Sequence, residues 1–142
     1  LGVIGDVREY KPQISGVIQP DPEKAVQCYQ EGARNGDGSA MCCLGFCYER
    51  GTGVEQSWEQ AARWYRQGAE HGSGRAMGNL AWCYEHGKGV PRDLRQAREL
   101  YQAAAKQGYA GAQEAADRME KDGSRRRGGG FLRGFLDGLR GQ

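Results

Sequence analysis

Apolar and small residues recur along the chain with the period of an amphipathic helix. Between residues 39 and 50 these positions lie three or four apart, which places them on one helical face: Ala40, Leu44, Cys47 and Tyr48. Gly51 follows, and glycine readily adopts the left-handed conformation with which many helices end. The pattern therefore predicts one helix that stops at Gly51.

A second amphipathic segment runs from Ser57 to Gly72. Ser57, with Gln60 three residues later, matches the capping-box pattern that marks the start of a helix. Its apolar face consists of Ala61, Trp64, Tyr65 and Ala69. Because one helix pair cannot bury both of its apolar faces, further pairs must stack against it.

The two-helix pattern returns after 36 residues without a gap, so that Ala40 to Gly72 aligns with Ala76 to Gly108. The shared positions include Leu44 and Leu80, Tyr48 and Tyr84, Gly53 and Gly89, Ala61 and Ala97, and Tyr65 and Tyr101. The same offset finds Ala25, Tyr29 and Gly36 upstream, and Ala112 and Gly123 downstream. An internal period of this length predicts an all-α stack of helix pairs.

The repeat resembles the Sel-1-like repeat, a relative of the tetratricopeptide repeat. The resemblance rests on "LGFCYERGTGV" and "AARWYRQGAEHG" and covers about residues 22–123. It implies a right-handed α-solenoid of stacked antiparallel helix pairs, in which the first helix of each pair lines a concave face. It also implies a scaffold or adaptor that binds a protein or peptide partner, and no enzymatic activity.

The sequence divides into three regions. Residues 1–21 are predicted to be either a degenerate N-terminal cap or an eroded repeat, two alternatives that remain open. Residues 22–123 form the repeat domain. Residues 124–142 are predicted to be a linker rich in Gly and Arg, with Gly128 to Gly130 as a flexible break, followed by a short amphipathic segment.

The positive charge is concentrated at the C-terminus. Residues 121–142 carry six Lys/Arg and two Asp/Glu, a net charge of +4, which leaves 14 minus 16, or −2, for residues 1–120. Since the predicted folded part is mildly acidic, nucleic acid is not expected as a partner. No run of about 20 apolar residues occurs, so a membrane span is not expected either.

The five cysteines are the main candidates for chemistry. Cys28, Cys47 and Cys83 fall in apolar columns of the repeat and are predicted to be buried in the core. Cys42 and Cys43 have no cysteine counterparts in the next unit, so a cysteine-dependent or metal-dependent activity around Cys42, Cys43 and Cys47 is one alternative function. The other is a structural subunit that oligomerises through its C-terminal tail. No CxxC spacing supports a metal site, and no metal or cofactor is predicted. Unpaired cysteines suit a reducing compartment, which favours a cytoplasmic location, although a removed signal peptide would leave no trace.

The Gly-x-Gly-Val segments, "GTGV" and "GKGV", follow helices rather than strands and are predicted to be turns, not phosphate-binding loops. The sequence shows no nucleophile paired with a base. No catalytic residue is therefore predicted.

A surface stripe on the first helices supplies the candidate binding residues. They lie beside the core positions at helical spacing: Phe46, Glu49, Arg50, Arg75, Trp82, Glu85, His86 and Arg118. Phe46 and Trp82 share one column of the repeat, and aromatic and Arg side chains are common anchors of interfaces. The alternative is that both rings pack against neighbouring helices as part of the core.

The C-terminal segment has an apolar helical face formed by Phe131, Leu132, Phe135, Leu136 and Leu139. Gly134 and Gly138 each weaken a helix by about 1 kcal/mol relative to Ala, so we expect it to form only when docked. Three alternatives remain open. The segment caps its own or a neighbouring solenoid and so permits oligomerisation, it binds a partner or a membrane with the help of Arg125 to Arg127, or it is disordered.

Overall fold

The computed structural model describes residues 21–129, with side chains for residues 21–123. These residues form six α-helices and no strand: α1 (Pro22–Arg34), α2 (Gly38–Arg50), α3 (Trp58–Glu70), α4 (Gly74–His86), α5 (Leu94–Lys106) and α6 (Ala112–Gly129). The predictions made for residues 1–20 and for Phe131 to Leu139 lie outside the described residues.

The helices stack in chain order. Each packs against the next, and α2 also contacts α4. We call α2, α4 and α6 the first helices, and α1, α3 and α5 the second helices. The predicted all-α solenoid of stacked helix pairs is confirmed.

Helix ends follow the residues that the repeat pattern marked. Gly51 and Gly87 end α2 and α4 with φ of +70° and +67°. Ser57 caps α3 by accepting a hydrogen bond from the Gln60 backbone N–H at 3.1 Å. The backbone N–H of Ser57 donates to the Tyr48 carbonyl at 2.9 Å, so the reciprocal bond of a capping box is replaced by a bond to the preceding helix.

The second glycine of each Gly-x-Gly-Val turn also allows close packing between units. Gly89 has a φ of +76°, and a Cβ at this position would collide with the Trp58 carbonyl at the start of α3. Gly53 approaches the Pro22 carbonyl at the start of α1 in the same way. The turn prediction is confirmed, and the structure adds that each turn packs against the preceding second helix.

The core lies between the helix layers and is built around Tyr65, Leu44 and Cys83, the largest fully buried side chains. Cys47 is also buried, as predicted. The prediction for Cys28 is wrong because its side chain is exposed. The equivalent residues Trp64 and Leu100 are covered by the first helix of the same pair, α2 for Trp64 and α4 for Leu100. Cys28 lies on α1, and the described residues include no first helix before α1.

The last helix differs from the other first helices in length. Gly123 is equivalent to Gly51 and Gly87, yet α6 continues through it to Gly129. Six residues that were predicted to belong to the linker are therefore helical, because no Gly-x-Gly-Val turn follows Gly123. Among the helices described, none is long and apolar enough to cross a membrane.

Candidate functional site

A column of three equivalent positions runs across the first helices and holds Phe46, Trp82 and Arg118. Phe46 is 39% exposed and Trp82 is 40% exposed, and they are the exposed large hydrophobic residues within residues 21–123. Neither ring belongs to the buried core clusters. The column therefore presents apolar side chains to solvent, where a partner can reach them.

Trp82 is the centre of a small aromatic group. Its ring stacks on Trp58 with a centroid distance of 5.6 Å and an interplanar angle of 23°, and the His86 ring lies 4.3 Å away. The Lys88 ammonium lies 5.7 Å from the centre of the Trp58 ring. Trp58 was not among the predicted site residues. The sequence could have pointed to Trp58, because it is aromatic whereas the equivalent residues Pro22 and Leu94 are not.

Phe46 has a different environment. The Arg50 guanidinium lies over its ring at 4.5 Å, a cation–π contact within one helix. A cleft of about 260 Å³ opens beside the ring, between α1, α2 and α4, and Tyr29, Cys43 and Arg75 contribute to its walls. The structure thus brings Arg50 and Arg75 to the Phe46 side of the column, whereas His86 lies on the Trp82 side.

Glu85 is held by side chains from the two helices that follow α4 in the chain, α5 and α6. Its carboxylate accepts hydrogen bonds from the Tyr101 hydroxyl at 2.9 Å and from two nitrogens of Arg118 at 2.8 and 3.3 Å. Burial by itself would raise the pKa of Glu85, but the bonds from Arg118 and Tyr101 outweigh burial and lower it. The structure therefore joins two predicted contact residues, Glu85 and Arg118, in one ion pair.

Glu49 occupies the equivalent position one unit earlier. It accepts a hydrogen bond from the Tyr65 hydroxyl at 2.6 Å, as Glu85 does from Tyr101. Burial, together with this bond, raises the pKa of Tyr65 well above its usual range, so that the hydroxyl remains a donor. The residue equivalent to Arg118 is here Trp82, and Glu49 receives no guanidinium from the described part of the chain.

The thiols of Cys42 and Cys47 on α2 and of Cys83 on α4 are buried. Burial raises the pKa of Cys42 to about 11 and that of Cys83 to about 12, so both thiols are protonated at neutral pH. Burial also raises the pKa of Cys47. Within residues 21–123, no three His, Cys, Asp or Glu side chains lie close enough together to hold a metal ion. Burial therefore makes the thiols of Cys42, Cys47 and Cys83 less reactive than a free cysteine.

The stack of helix pairs defines the class of this protein as a helical-repeat solenoid, and the exposed aromatic column lies on its first helices. The Sel1 repeat model matches residues 9–37, 38–73 and 74–109. The chain therefore belongs to the Sel1 repeat family. Sel1 repeats typically form protein-interaction scaffolds, and their fold is generally non-catalytic.

Solved structures share this fold. A protective antigen present in uropathogenic Escherichia coli strains, displaying an SLR fold, is 35% identical with a TM-score of 0.61, over 70% of this chain and 21% of that one. A Sel1 repeat protein from Oxalobacter formigenes is 28% identical with a TM-score of 0.67, over 78% of this chain and 45% of that one. Cysteine rich protein B of Helicobacter pylori is 24% identical with a TM-score of 0.65, over 68% of this chain and 73% of that one.

The chain thus spans 21% of the first of these proteins and 45% of the second. No curated protein matches it. The comparisons define the family and the fold.

Proposed function

We propose that this protein is a non-catalytic scaffold or adaptor that binds a protein or peptide partner along the column of Phe46, Trp82 and Arg118. The observation that carries the proposal is the 40% exposure of Trp82, which combines a large apolar ring with access from solvent. Tryptophan and arginine are over-represented among the residues that dominate binding energy at interfaces. The concave side of the solenoid is the surface we assign to this partner.

The charged residues around the column extend the proposed surface. Arg50, Arg75 and His86 are exposed beside the two rings, and Glu49 and Glu85 are half-buried at their edges. Such a polar rim around apolar anchors is the usual arrangement of a protein interface. A reducing, cytoplasmic environment is part of the proposal, since the five cysteines of the chain are unpaired.

The test is a comparison of partner capture by the wild type and by Trp82→Ala, with Gln67→Ala as the matched control on an exposed site of α3. We expect Trp82→Ala to weaken capture at least tenfold, as at interface hot spots. Loss of the Trp58 stack costs about 1 kcal/mol, so circular dichroism should show a folded protein. Capture that is equal for all three proteins refutes the proposed surface, and unfolding of Trp82→Ala assigns the ring to the core.

A further inference from the structure

The two half-buried glutamates of the first helices are equivalent but have different partners. Glu85 receives the Tyr101 hydroxyl and, from 33 residues further along the chain, the Arg118 guanidinium. Glu49 receives the Tyr65 hydroxyl from the same relative position. The residue 33 positions after Glu49 is Trp82, which carries no charge. Within the described residues, there is thus one completed guanidinium site, at Glu85, and one site of the same construction, at Glu49, without its cation.

The surroundings of Glu49 leave its carboxylate available to accept a hydrogen bond from a partner. Its Oε1 atom is engaged by Tyr65, and no cation of the described residues lies within 4.0 Å of the carboxylate. Arg50, the next residue, instead places its guanidinium over Phe46. The helix that carries Glu49, α2, directly contacts the helix that carries Trp82, α4.

We infer that Glu49 and Trp82 form a binding site for an arginine side chain of a peptide partner. The guanidinium takes the place that the Arg118 guanidinium takes beside Glu85, donating to the Glu49 carboxylate and packing against the Trp82 ring. This inference rests on the proposed function and specifies the chemistry of the partner.

Two features favour arginine over lysine as the bound group. The existing pair uses two nitrogens of one guanidinium, at 2.8 and 3.3 Å, and only the planar fork of arginine can reproduce that geometry. Guanidinium groups also stack on indole rings more often than ammonium groups do. Because the exposed Phe46 ring lies one unit away along the column, we expect an apolar residue near the arginine of the peptide.

The probe is a random 12-residue peptide library, selected on the immobilised full chain. We expect selected peptides to be enriched in arginine, and replacement of that arginine by uncharged citrulline to weaken binding about five- to tenfold, as for one charge-assisted hydrogen bond with a cation–π contact. The substitution Glu49→Gln should remove this difference between the two peptides. Glu99→Gln, which removes a carboxylate from an exposed site on α5, is the matched control and should leave the difference intact.

A second variant uses the completed site as its template. Trp82→Arg places an arginine in the register of Arg118, so we expect it to pair with Glu49 and to abolish the preference for arginine over citrulline, which Trp82→Ala should only reduce. The folded state should persist, because Trp82 is an exposed position.

Each outcome decides between the proposals. Selected peptides without arginine enrichment, or an arginine preference that survives Glu49→Gln, overturn this inference and leave the proposed function standing. Failure to select any peptide or to capture any partner overturns both. Selected peptides that resemble residues 131–140 of the chain itself reassign the site to a second copy and contradict an external partner.

Discussion

Replacing Gly89 with alanine should destabilise the protein by more than its backbone conformation alone requires. Gly89 has a φ of +76°, and a Cβ there would collide with the Trp58 carbonyl of the preceding unit. A left-handed conformation costs an L-residue about 1–2 kcal/mol, and overpacking typically adds about 1–3 kcal/mol. We therefore expect Gly89→Ala to lower the free energy of unfolding by about 2–5 kcal/mol.

Gly72→Ala is the matched control for this prediction. Gly72 has a φ of +85°, but nothing lies within 4 Å of a Cβ built on it, so only the conformational cost of about 1–2 kcal/mol applies. Urea denaturation followed by circular dichroism gives both free energies. If the two variants lose the same amount, the close approach of the turn to α3 contributes no stability, and the argument from packing between units is refuted.

Three further predictions concern the buried polar groups. Tyr101→Phe should cost about 1–2 kcal/mol because the Glu85 carboxylate loses a donor, and denaturation should show it; an unchanged midpoint would count against the bond. Since folding lowers the pKa of Glu85, its contribution to stability is present above its unfolded pKa of about 4.3 and is lost as the pH falls through the folded value. The urea midpoint of the wild type should therefore fall more steeply on acidification than that of Glu85→Gln, and equal slopes would contradict the pair. With a thiol reagent at mildly alkaline pH, exposed Cys28 should react quickly, whereas Cys42 and Cys83, with pKa values of about 11 and 12, should react only when the chain unfolds; fast labelling of either buried thiol would contradict this order.

The helix boundaries and the exposed column were accessible from the sequence because they depend on short-range patterns. Gly51 and Ser57 mark chain conformations that a few neighbouring residues determine. Phe46 and Trp82 fall beside the core stripe by helical periodicity alone, and both are exposed. Their role in binding remains a prediction.

The contacts between units were not accessible in this way. The pairing of Glu85 with Arg118 joins residues 33 positions apart on different helices, and its geometry depends on how α4 and α6 stack. The stack of Trp58 on Trp82 depends on the same kind of packing. The burial of Cys28 was wrongly predicted because a repeat column implies burial only where a neighbouring helix covers it.

Because each helix packs mainly against its neighbours, the number of repeat units in this protein can change without a change of fold. Contacts join consecutive helices or adjacent first helices, as α2 joins α4 and as Glu85 of α4 joins Arg118 of α6, so folding requires no closure of a long loop. Excision of residues 38–73 would join Asp37 to Gly74, which preserves an N-cap residue before the helix because Asp37 and Ser73 play the same role. The shortened chain would lose Phe46 and keep Trp82. Gain or loss of one unit therefore changes the extent of the exposed surface, and with it the length of partner that fits, without a new fold.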